Sequence, residues 1–282
     1  MTLSPAAARQ LKARLDALLA THDAAAHREA DPVSFVHRYA SADDREVVGL
    51  VASSLAFGNV VAIKRSVARA LEALGPSPAG ALRRHDERAL AARLHGFVHR
   101  VYRGPHLARL LANAARVRER EGSLGASLAR RLARAELREA LAELADELRG
   151  PEPPRGLAHL VPDPRAGSAC KRLLLYARWM SRPADGVDLG LWPISPARLV
   201  IPVDTHVHRI AKNLGLTARG DASWRTAEEI TAALRRLDPH DPVKYDFALC
   251  HLGVSRRCPS RRDDEKCAAC VLRPACLHWR RS

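Results

Sequence analysis

The sequence predicts an all-α fold, and three observations carry that prediction. Apolar residues recur at three- and four-residue spacing along most of the chain, no stretch alternates convincingly as a half-buried strand would, and the breaks fall on Gly, Pro and Asp/Ser signals. At 282 residues, with 47% hydrophobic and 27% charged residues, the chain is long enough to bury more than one helical core.

Taken in order, "MTLSPAAARQLKARLDALL" reads as an amphipathic helix rather than a leader peptide. "DDREVVGLVASSLAFGN" predicts a helix capped at Asp43 or Asp44, apolar through Val47, Val48, Leu50, Val51 and Leu55, and stopped at Gly58-Asn59. "AIKRSVARALEALGPSP" predicts a second helix ending at Gly75-Pro76. From Ser127 to Arg149 acids and bases alternate over a Leu/Ala stripe, the pattern of one outer helix laced with i,i+4 pairs. "GPEPPRG", residues 150–156, is a linker or sharp loop.

"DPRAGSACKRLLLYARWM" then predicts a helix capped at Ser168, with Lys171 in its first turn and Leu174, Leu175 and Ala177 on its apolar face. An irregular stretch with four prolines, "SRPADGVDLGLWPISPARLVIP", separates it from "IPVDTHVHRIAKNLGLT". There Asp204 stands at the N-cap and Val207, Ile210, Ala211 and Leu214 form one stripe, stopped by Gly215.

Charge and cysteine usage bound the partners. The net charge of +15 points to a polyanion, with a solvated basic face as the plain alternative. No run of eighteen apolar residues occurs, so no membrane partner is expected and a cytoplasmic place is. Four of the six cysteines, Cys258, Cys267, Cys270 and Cys276, fall within nineteen residues. In a cytoplasmic chain such a group reads as metal ligation before disulfides. Four thiolates can hold one tetrahedral zinc or a [4Fe-4S] cluster, and the presence of a single CxxC favours the cluster, with structural zinc as the alternative. Cys170 and Cys250 sit in apolar helical patterns and read as small buried side chains.

Only six of the 46 basic residues are lysines, so Lys171 at a helix start stands out. Arginine supplies positive charge equally well but offers no amine able to attack carbon. The helix dipole and Arg172 both disfavour the ammonium form, which predicts a lowered pKa and a better nucleophile; a solvated surface charge is the competing reading. Asp204 can cap its helix and also stabilise a developing cation. His206 and His208 form an HxH pair, but residues two apart on a helix face different ways, which argues against a metal-dependent hydrolase and leaves phosphate contact or surface exposure.

"VDTHVHRIAKNLGL" and the loop "CPSRRDDEKCAACVLRPAC" resemble the helix-hairpin-helix DNA glycosylases of the endonuclease III superfamily, most strongly from Gly167 to Cys276. "VVGLVASSLAFGN" is similar to an early helix of that superfamily, and the whole chain resembles an uncharacterised bacterial branch. The resemblance implies catalytic roles for Lys171 and Asp204, a [4Fe-4S] cluster on the four cysteines, double-stranded DNA with a damaged base as partner, and a monomer. It also implies DNA contacts from Gly167, Ser168, Arg172, His206, His208 and Arg209, with the cluster loop's Arg256, Arg257, Arg261, Arg262 and Arg273 beside them. Two lobes are expected, one of residues 36–200 carrying the hairpin, the other of 1–35 and 201–282 carrying the cysteines. Two departures stand out: "VPDPRAGSAC" replaces the usual glycine-rich hairpin turn, and 33 positions separate Lys171 from Asp204. The long insert is similar to that of archaeal 8-oxoguanine glycosylases of the AGOG type. By that likeness the substrate is an oxidised purine such as 8-oxoguanine, and Asn59 and Asp246 are expected at the base pocket; Trp179 and Trp192, which flank the insert, are further pocket candidates, with burial in the core as the plainer alternative. A glycosylase with AP lyase activity is thus expected; a non-catalytic or water-using DNA binder of the same fold is the alternative.

Overall fold

The computed structural model describes residues 4–255 and 258–279. They form an all-α fold: α1 (Pro5–Thr21), α2 (Ala24–Ala30), α3 (Ala42–Ser54), α4 (Val60–Leu74), α5 (Pro78–Arg84), α6 (Glu87–Arg93), α7 (Gly104–Glu121), α8 (Leu124–Leu132), α9 (Leu137–Arg149), α10 (Arg155–Leu160), α11 (Lys171–Ser181), α12 (Thr205–Asn213), α13 (Trp224–Arg235), α14 (Asp246–Ser255) and α15 (Asp264–Cys267). A two-residue hairpin, β1 (Val98–His99) with β2 (Tyr102–Arg103), interrupts the helices. Strands this short leave no alternating pattern and are therefore invisible to periodicity.

Capping decides most helix starts. Ser41 caps α3, its Oγ accepting from the Asp44 amide, so the cap lies two residues before the expected Asp43 and three before Asp44. Those aspartates occupy the first turn, where their charge complements the helix dipole. Asn59 does not end α3. It caps α4, accepting from the amides of Val61 and Ala62, and α4 stops at Gly75 with φ +85° as expected.

The charged stretch 127–149 is not one outer helix. It breaks between Leu132 and Leu137 into the C-terminal part of α8 and all of α9, because the break lets Leu124, Leu128 and Leu132 on one piece and Leu137, Leu141, Leu144 and Leu148 on the other all bury. Both pieces pack on α7. Ion pairs accordingly run between helices, Arg130 to Glu121 of α7 and Arg131 to Glu147 of α9, beside one along α9 from Arg149 to Asp146.

At the centre, α11 lies against α3. The approach is so close that a Cβ on Gly49 would stand 2.6 Å from Met180 Cε, and the Tyr176 hydroxyl donates to the Glu46 carbonyl at 2.9 Å. Glu46 itself is buried, accepting from Arg118 Nε at 2.8 Å, Trp192 Nε1 at 2.8 Å and the Gly125 amide at 3.1 Å. α12 packs on α14, and α1 reaches the 3-10 turn Arg273–Ala275. One continuous apolar core runs through all of these elements. Among the described residues no helix is long and apolar enough to cross a membrane.

Candidate active site

Lys171 is the first residue of α11, and Asp204 is the N-cap of α12. The 33-residue excursion between them, folded over the core, returns the two helix starts to each other. Lys171 Nζ lies 3.2 Å from Asp204 Oδ2. The carboxylate divides its work: Oδ1 accepts from the amides of His206 and Val207, at 2.9 and 2.8 Å, while Oδ2 faces the amine. Capping and ion pairing are therefore simultaneous, as the sequence allowed.

The start of α11 is unusual. Ser168 does not cap it; the N-cap position is Cys170, a non-glycine residue at φ +45°. Such left-handed backbone costs of order 1 kcal/mol or more and persists where surrounding contacts impose it. Here the Ser168 Oγ accepts from the Cys170 amide and contacts Cys170 Sγ at 3.3 Å, and the Gly167 carbonyl accepts from the Trp224 amide at 3.0 Å. The turn before Lys171 is thus tied to the start of α13. Gly167 also donates its amide to the Pro164 carbonyl, so both of its backbone polar groups are engaged inside the protein.

The electrostatics correct one expectation. Burial acts to lower the Lys171 pKa, but the Asp204 charge and hydrogen bond outweigh it, and the amine is held as ammonium, above the ordinary lysine value. Asp204 moves the opposite way: burial raises it, and Lys171 together with the Val207 amide brings it below the ordinary carboxylate value. The helix dipole argument failed because a full carboxylate charge at 3.2 Å exceeds a fractional charge spread over a helix end.

Asp246, at the start of α14, is buried behind this pair. Burial pushes its pKa up to about 6, with Arg178 opposing and Asp204 adding to the rise. Arg178, itself buried, bonds both Asp246 and Asp188. Arg182 continues the chain through Asp188 to Asp241, so a line of alternating charges leads from the surface to beneath Asp204.

Lys171 also borders an open groove of about 530 Å³, whose wall includes Phe57, His159, Asp163, Ser168, Cys170 and Arg172. Its volume is in the range of small-molecule sites. Arg172 is pinned by bonds to the Tyr102 hydroxyl and the His159 carbonyl, and its guanidinium lies 5.7 Å from the Phe57 ring centre. Phe57 is over one-third exposed.

Several expected pocket residues lie elsewhere. Trp179 is fully buried in the core, and Trp192 packs there on Tyr176 with its indole N–H given to Glu46. Asn59 is exposed at the α4 cap and does not line the groove. His206 and His208 diverge as two-residue spacing requires: His206 Nδ1 meets Arg209 Nη2 at 3.1 Å, and His208 Nε2 bonds the Arg219 carbonyl at 3.0 Å. Two groups escaped the sequence reading. Phe57, between the apolar run that ends at Leu55 and the stop at Gly58, carries no signal of its own in the sequence. Cys250 looked merely buried, yet its Sγ lies 3.5 Å from Asp204 Oδ2; its position four residues after Asp246 on one helix was the available signal.

Cys258, Cys267, Cys270 and Cys276 line a single cavity, together with apolar side chains such as Ile210 and Leu214 and the polar Asn213, Arg273 and His278, and none of the six cysteines forms a disulfide. Asn213 Nδ2 donates to Cys258 Sγ at 3.5 Å. Among the described residues no group of three or more His, Cys, Asp or Glu is gathered for a single ion. Four thiols on one cavity are a donor set that either a tetrahedral zinc or a four-iron cluster could draw on. Arg256 and Arg257 lie outside the described residues.

A family model described as "Protein of unknown function (DUF2400)" matches residues 31–255, which takes in Lys171, Asp204, Asp246 and Cys250 and stops before the first cluster cysteine. No curated protein and no solved structure matched the chain. With 225 of 282 residues inside that match, the chain belongs to the DUF2400 family.

Proposed function

We propose that the protein is a base-excision DNA glycosylase with AP lyase activity, acting on an oxidised purine such as 8-oxoguanine in duplex DNA. The observation that carries the reading is the 3.2 Å contact between Lys171 and Asp204 at two adjoining helix starts, beside an open groove. The net charge of +15 supports a nucleic-acid partner, and the resemblance of the motifs around Lys171, Asp204 and the four cysteines supports the reaction class.

A base to be excised leaves the stack and enters the groove. Asp204 Oδ2 is the acceptor within reach of the ammonium proton; it passes that proton to the departing base, so that Asp204 is again a carboxylate as the freed amine bonds to the sugar C1′ and the bond to the base breaks. Opening of the C1′–O4′ bond, with the second amine proton passing to O4′, turns this adduct into an imine that permits β-elimination and a strand nick. Asp204 also offsets the positive charge that develops on the sugar. Because the resting pair is an ion pair, substrate binding has to break it, and displacing water from the groove changes the balance of that proton. Cys258, Cys267, Cys270 and Cys276 would hold a [4Fe-4S] cluster that ties segment 258–276 together, and no step is assigned to it.

One observation favours a second reading. Lys171 held as ammonium is a poor nucleophile and a good phosphate contact, as in a water-using or non-catalytic DNA binder. Borohydride trapping on labelled duplexes carrying 8-oxoguanine, thymine glycol, uracil, an alkylated purine or an abasic site separates the two. A trapped adduct on the oxidised purine, lost in Lys171→Gln, is expected. No adduct on any duplex, with DNA binding intact, would hand the case to the second reading.

A further inference from the structure

We propose that Cys250 is a positioning residue of this site, its thiol donating to Asp204 Oδ2 so that the carboxylate keeps its orientation when Lys171 leaves it. The inference rests on the catalytic reading of Lys171 and Asp204 and adds a third member to the pair.

The geometry is specific. Oδ2 of Asp204 has two neighbours able to donate, Lys171 Nζ at 3.2 Å and Cys250 Sγ at 3.5 Å, which is within reach of a sulfur hydrogen bond. Oδ1 is held by two amides of its own helix. Once the amine turns to carbon, Oδ2 loses its stronger donor, and the thiol is the donor that remains at that oxygen.

The backbone supports the placement. Gly253, three residues after Cys250, lies so near α12 that a Cβ there would stand 2.6 Å from His206 Cβ. The face of α14 that carries Cys250 is therefore pressed onto the first turn of α12, and a residue at 250 has little freedom to move from Asp204. The charged groups acting on the thiol are Asp204, Lys171, Asp246 and Asp31. Burial and the Asp204 charge push the thiol well above its ordinary range, which keeps it a donor at neutral pH. A thiol is also a weak donor, so it orients Asp204 without neutralising it.

Two measurements test the proposal. The first is independent of any glycosylase activity: the rate at which iodoacetamide alkylates Cys250, read by peptide mass spectrometry, in wild type and in Asp204→Asn. The asparagine keeps the helix cap but removes the charge that suppresses the thiolate. An increase of about tenfold at pH 8 is expected, and an unchanged rate in a folded variant would overturn the contact. The second is the pH profile of adduct trapping in Cys250→Ala and Cys250→Ser. A drop of about tenfold with a displaced profile in the alanine variant, restored by the serine hydroxyl, is expected. An alanine variant with wild-type rates and profile would overturn the positioning role. A wild-type protein that traps nothing would defeat the catalytic reading instead, and with it the role at a reacting site, while the alkylation result still decides whether thiol and carboxylate are coupled.

Discussion

Asp204 and Asp246 are both buried carboxylates near Lys171, and their surroundings drive them apart. Asp204 accepts two amide hydrogen bonds and faces an ammonium, so its charge is stabilised; Asp246 is more deeply buried, and its pKa rises to about 6 despite Arg178. The sign of the stability effect follows. A carboxyl with a raised folded-state pKa binds more protons folded than unfolded between its ordinary value of 3.8 and about 6, so this contribution is complete at low pH and lost as pH rises through that window. Carbon-detected NMR of the Asp246 carboxyl is expected to show a midpoint near 6, moved upward in Lys171→Gln because a cation that lowers it is gone. A midpoint at the ordinary aspartate value would contradict the burial of this group. Little of this was legible in the sequence: it put Lys171 and Asp204 at helix starts, but the direction of the lysine shift depends on a distance across 33 residues of excursion.

Among elements, the packing of α3, α7, α8 and α11 turns on one acid. Glu46 lies on α3 inside an apolar run and receives Arg118 from α7, the Gly125 amide from α8 and the Trp192 indole. Glu46→Ala leaves the nearly buried Arg118 with only the half-exposed Asp43 as partner, and strips acceptors from two buried donors. A loss of about 3–5 kcal/mol in denaturant unfolding is expected; a loss below about 1 kcal/mol would mean water replaces the carboxylate. The helical periodicity of α4 and α12 was readable because each buries one continuous stripe, whereas α3 from Glu46 to Ser54 and α11 from Tyr176 to Ser181 are buried on every face and were legible from their apolar runs and their boundaries. The break between α8 and α9 was not, since no Gly or Pro marks it and it arises from both pieces packing on α7. Trp179 and Trp192 were misplaced for a related reason. Sequence tells that a tryptophan needs cover, not whether a ligand or the core supplies it.

For the whole molecule, the cysteine segment closes the fold. α12 carries Asp204 at one end, and at the other Asn213 holds Cys258 Sγ and the Pro259 carbonyl, so the cysteine cavity and the candidate site share one short helix. If the cavity holds a cluster, Cys258→Ser is expected to lower iron bound per chain, bleach visible absorbance and reduce the unfolding midpoint; a colourless wild type with one zinc per chain would replace iron with zinc. The two-lobe expectation meets a related fact, that α1 lies on the 3-10 turn Arg273–Ala275 and the Tyr245 hydroxyl donates to Asp16 at 2.7 Å. During synthesis that contact cannot form until some 250 residues have followed α1, which at about 5–20 residues per second is roughly 10 to 50 s. Throughout that interval Leu11, Leu15 and Leu18, buried in the finished protein, wait without their partner, and the nascent chain carries a sticky helix that the ribosome-side quality-control machinery must shield.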